Sequence, residues 1–64
     1  MTTDVDATVR ADVLACLRAA AGNVKDLGAR LGVAWTEVSW ALVQLQSAGV
    51  ARFDRSARVW RAVA

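Results

Sequence analysis

A chain of 64 residues, 56% hydrophobic and with a net charge of +2 at neutral pH, has room for one small core. A core of that size buries only about 60% of the unfolded surface, so a homodimer is an expected state. Histidine and tyrosine are absent, and the acidic residues are scattered among helix starts and solvent positions. No nucleophile–base pair, carboxylate pair or metal-ligand spacing results, so neither enzymatic activity nor a metal or other cofactor is expected.

The single cysteine, Cys16, cannot close an internal disulfide. Its place among Val13, Leu17 and Ala20 makes it a small core residue and points to a reducing cytoplasm. The acidic N-terminus lacks the basic stretch and apolar run of a secretory leader. Residues 31–51 carry only one charge, Glu37, yet Gly32, Thr36, Ser39, Gln44, Gln46, Ser47 and Gly49 interrupt them. Their apolar residues keep one helical stripe, which argues against a membrane span. No repeat, linker or low-complexity tract divides the chain, so residues 1–64 are expected to form one domain. A core this small leaves little room for a ligand pocket.

In chain order, Thr3-Asp4-Val5-Asp6 has the pattern of a capped helix start, and Val9, Val13, Cys16, Leu17 and Ala20 recur at spacings of three and four. A first helix is predicted from about Asp4 to Ala21, with Gly22 as its left-handed C-terminal residue. Asn23 is placed to cap a second helix, with Asp26 in its first turn, Val24, Leu27 and Leu31 along one face, and Gly32 ending it. A third helix follows from about Trp35 to Ala48. At 100 degrees per residue its Val38, Ala41, Leu42 and Leu45 point inward, and Thr36, Trp40, Val43 and Ser47 outward, with Ser39 and Gln44 on the flanks.

The third helix exposes no lysine or arginine. Trp40 beside Val43 forms an apolar patch on it, open to three readings: a protein interface, a base contact, or packing under the following strands or the N-terminus. Trp35, in its first turn, is expected at the core edge. After it, Val50, Ala51 and Phe53 lead into Asp54-Arg55-Ser56-Ala57, and Val59, Trp60 and Val63 lead out. This reads as a β-hairpin around a four- or five-residue loop, since the turn has no glycine. Alternation puts Arg58, Trp60 and Ala62 on one side of the second strand and Val59, Arg61 and Val63 on the other.

Charge is uneven along the chain. Arg10, Arg18, Lys25 and Arg30 are matched by Asp4, Asp6, Asp12 and Asp26, whereas Arg52, Arg55, Arg58 and Arg61 face Asp54 alone. A basic tail of this kind attracts a polyanion through counterion release. The same arginines also suit a solubilised, unpaired strand edge.

Two short helices around a tight turn, with Gly28, Gly32, Val33 and Val38 at the small, glycine and apolar places, followed by a basic hairpin, resemble the winged helix-turn-helix DNA-binding family. Ala34 departs from its pattern, which commonly has a capping serine there. The resemblance spans nearly the whole chain and implies a mainly α fold with a small β-hairpin, α1-α2-α3-β-β. It also implies a small prokaryotic or phage-type regulator, or an accessory factor of a mobile element, that binds double-stranded DNA. The third helix would lie at the major groove, offering Thr36, Ser39, Trp40, Val43 and Gln44, with Arg52, Arg55, Arg58 and Arg61 on phosphates. The alternative is a protein-interaction winged helix that docks a partner through Trp40 and Val43. The closing Val59-Trp60-Arg61-Ala62 is similar to winged helices that bind left-handed nucleic acid. Their helix-3 asparagine and tyrosine and their wing prolines are replaced by Ser39, Val43 and Ser56-Ala57, so none of their site residues carries over.

Overall fold

The computed structural model describes residues 2–63, with side chains from residue 7 onward. Its elements run α1 (Thr2–Ala19), α2 (Val24–Leu31), α3 (Trp35–Ser47), β1 (Ala51–Asp54) and β2 (Val59–Ala62). Three helices followed by a two-stranded antiparallel hairpin give the layout of a winged helix. Among the described residues no helix is long and apolar enough to cross a membrane.

Each helix contributes the apolar stripe that its 3.6-residue period places on one face. Val13 and Leu17 of α1, Leu27 of α2, and Val38, Ala41, Leu42 and Leu45 of α3 are buried together with Ala51 of β1. Val9, Leu14, Cys16, Val24, Leu31, Trp60 and Ala62 pack partly buried around them. Cys16 is therefore at the margin of the core, and Ala20, expected inside, is exposed because α1 stops at Ala19. The capping role expected of Thr3 and Asp6 rests on side chains outside the described ones.

The end of α1 differs from expectation. Gly22 is buried in an antiparallel bridge with Trp60, its N–H donating to the Trp60 carbonyl at 3.2 Å and its carbonyl accepting the Trp60 N–H at 2.8 Å. Gly22 is not among the residues with positive φ. Arg30, in the last turn of α2, donates to the carbonyl oxygens of the connection that follows α1, Ala20 at 3.3 Å and Ala21 at 3.4 Å. A long-range guanidinium thus ties the α1–α2 connection to the last turn of α2.

The other helix ends follow local rules. The Asn23 side chain accepts the Asp26 N–H at 2.8 Å, and Gly32 closes α2 at φ 67°. Gly49, at φ 79°, closes α3: its N–H donates to Gln46 and the Val50 N–H to Leu45, each at 3.0 Å, the paired bonds of a Schellman motif. At Gly28 the limit is space, because an added Cβ would stand 2.8 Å from the Val33 carbonyl oxygen.

β1 and β2 pair in the register Ala51↔Ala62, Arg52↔Arg61, Phe53↔Trp60 and Asp54↔Val59. Ala51, Phe53, Trp60 and Ala62 share the face toward the core, and Arg52, Asp54, Val59 and Arg61 the opposite face, as a period of two requires. Trp60 anchors the hairpin twice, through the Gly22 bridge and through an edge-to-face contact with Phe53 at 5.5 Å.

Candidate nucleic-acid interface

The outward face of α3 is the one its helical wheel predicts. Thr36, Trp40, Val43 and Ser47 are exposed, while Ser39 and Gln44 are half-buried on opposite flanks. Trp40 is 57% exposed, so it is not packed beneath the hairpin or any other described side chain. Trp35 corrects the expectation of core-edge packing, for it is 62% exposed. Its Cα lies only 3.9 Å from where a Cβ on Gly28 would stand, so α2 and α3 approach too closely to take an indole between them. Trp35 instead lines a surface groove with Val24, Lys25 and Ser39.

Positive charge reaches this face from neighbouring helices. Arg10 of α1 donates through Nη1 to Oε1 of Gln44, on the flank that also carries Glu37. A second groove on that side is lined by Val9, Thr36, Glu37, Trp40 and Ala41. On the other flank Lys25 of α2 shares the Trp35–Ser39 groove. An α3 without basic residues is thus bracketed by a guanidinium and an ammonium.

The hairpin tip is the four-residue turn from Arg55 to Arg58, within the expected loop length. Asp54 organises it: its Oδ1 accepts the N–H of Ser56 at 3.0 Å and of Ala57 at 3.2 Å, and its Oδ2 accepts Arg61 Nε at 2.9 Å. The Arg61 hydrogen bond, and then the Ala57 N–H, hold the Asp54 carboxyl below the usual carboxylate range. Arg58 sits at φ 58°, a left-handed conformation that β-carbon sterics make costly for a long side chain. Arg52, Arg55 and Arg58 are exposed and form no ion pair with any described residue, whereas Arg61 is half-buried and tied to Asp54.

The arginines named from the sequence thus fall into two groups: Arg55 and Arg58 at the tip, and Arg52 and Arg61 opposite one another across the strands. Sequence reasoning missed Arg10, Lys25 and Asp54. An aspartate opening a polar turn is a legible signal for the last, but nothing local ties Arg10 to a glutamine on α3. Compared with family models, curated proteins and solved structures, the chain gives no match.

Proposed function

We propose that this chain binds double-stranded DNA as a small winged-helix protein, a transcriptional regulator or mobile-element accessory factor acting as a homodimer. In this reading α3 presents Thr36, Ser39, Trp40, Val43 and Gln44 to the major groove, and Arg52, Arg55 and Arg58 meet phosphates. The observation that carries the reading is the bracketing of a helix face without basic residues, with Glu37 at its edge, by Arg10 and Lys25. That arrangement draws a phosphate backbone to both sides while leaving neutral side chains for base edges and thymine methyl groups. Arg58 adds support, since a glycine or asparagine would suit its backbone better and a phosphate contact gives its charge a use there.

The test is fluorescence anisotropy on a labelled duplex across a salt series. Replacing Arg55 and Arg58 with alanine should flatten the slope of log affinity against log salt by about two, at roughly 0.9 per phosphate neutralised. A wild type that does not bind at about 50 mM salt, where phosphate contacts are strong, would reject the proposal. A second reading, docking of a protein partner on Trp40 and Val43, draws on their 57% and 46% exposure and on the groove that Trp40 lines with Val9.

A further inference from the structure

Asp54 is an acid inside the wing of a protein whose proposed ligand is a polyanion, and charge alone makes it unwelcome there. Its contacts point the other way. Oδ1 gathers the Ser56 and Ala57 N–H groups, fixing the first half of the turn, and Oδ2 ties that turn to β2 through Arg61. The chain then leaves the turn through Arg58 in the left-handed region, which an unrestrained arginine does not favour. One carboxylate therefore holds the loop that carries both tip arginines, and it does so with both oxygens occupied.

We infer that Asp54 is a positioning residue for nucleic-acid binding: despite its negative charge it raises the affinity of the wing for phosphate, chiefly because its Oδ1 bonds to the Ser56 and Ala57 N–H groups hold Arg55 and Arg58 in their binding arrangement. The inference rests on the DNA-binding reading above. Two opposed effects decide its sign. In water and at physiological salt, a unit charge several ångströms from a phosphate weakens binding by about twofold. Freeing a single loop residue from its backbone well costs about tenfold in an equilibrium constant. The ordering effect is the larger, so removing the acid should weaken binding although it makes the protein more positive.

The experiment measures the affinity of the full chain for a labelled duplex over a salt series, for wild type, Asp54→Ala, Asp54→Asn and the Arg55→Ala/Arg58→Ala pair. Near-ultraviolet circular dichroism of the Phe53–Trp60 contact and a thermal melt report whether each hairpin is intact. Asp54→Ala should lose about tenfold in affinity at every salt concentration with an unchanged salt slope, because the phosphates contacted are the same and only the ordering cost has risen. Asp54→Asn keeps an oxygen for the Ser56 and Ala57 N–H groups and should bind within about twofold of wild type. Equal or tighter binding by Asp54→Ala overturns the inference in favour of simple charge. If Asp54→Ala loses its hairpin, Asp54→Asn decides: wild-type-like affinity supports the inference, and a tenfold loss with the hairpin intact overturns it. Should the double arginine variant keep the wild-type slope, the phosphate contact of the wing itself is refuted and the inference falls with it.

Discussion

α2 and α3 begin with the same backbone shape and opposite chemistry. Asn23, at φ −88° and ψ 175°, places a side-chain oxygen 2.8 Å from the Asp26 N–H. Ala34, at φ −60° and ψ 140°, is equally extended but has only a methyl group, and the Glu37 N–H turns back to the Ala34 carbonyl at 3.0 Å. Serine at position 34 would bring a hydroxyl to the open N–H groups of the first turn with no backbone change, and the site is exposed, so no desolvation opposes it. A cap of this type contributes about 1 kcal/mol, within a range of roughly 0.5–2. A domain of this size has a total stability of roughly 3–10 kcal/mol, so Ala34→Ser should raise the melting temperature by about 4–8 °C. Asn23→Ala should lower it by a similar amount. The two starts are separated by α2, about 12 Å of helix, so the double variant should melt close to wild type. Urea and thermal denaturation followed by circular dichroism measure all three. A lowered midpoint for Asn23→Ala with an unchanged or lowered one for Ala34→Ser would refute the assignment of Ala34 as the cap.

Gly28→Ala should destabilise by about 1–2 kcal/mol, because a Cβ placed 2.8 Å from the Val33 oxygen strains a turn backbone by more than the roughly 1 kcal/mol alanine gains in a helix; equal stability in urea would show that the turn yields. The Asp54 carboxyl is held below its ordinary value of 3.8, so its contribution to folding is complete above that value and is lost as pH falls through the depressed one. Melts of wild type against Asp54→Asn should therefore show a gap that is constant at neutral pH and closes only in strong acid; a gap that closes near neutrality would contradict the Arg61 clamp. Trp40→Ala should leave the protein folded and cost about 1–2 kcal/mol, since the residue is 57% exposed and only the remainder of its surface, beside Val9 and Ala41, is buried. If sedimentation shows that this variant has lost self-association while its DNA affinity is intact, the docking reading of Trp40 prevails.

How much of the site is legible from the chain depends on the distance over which each feature is decided. Whether a residue of α3 faces in or out follows from a 3.6-residue period, and Val38, Ala41, Leu42 and Leu45 are buried as that period requires. The Asn23 cap, the left-handed Gly32 and the strand alternation around Trp60 are likewise settled within a few residues of backbone geometry. Trp35 misleads because its wheel angle puts it at the core edge while the space there is closed by the near approach of α2, which Gly28 permits.

The sequence by itself determined the three helices, the hairpin, the buried stripe and the basic tail, because each depends on periodicity, capping chemistry or composition read over one or two turns. Only the tertiary structure decided that Gly22 pairs with Trp60, that Arg30 meets the carbonyls of Ala20 and Ala21, and that Arg10 stands beside Gln44. Each of these joins groups far apart in the chain, where no local preference acts. Packing of the shared core places the α1–α2 connection against β2, and α1 against α3, and so selects the partners that otherwise open carbonyls and long side chains meet.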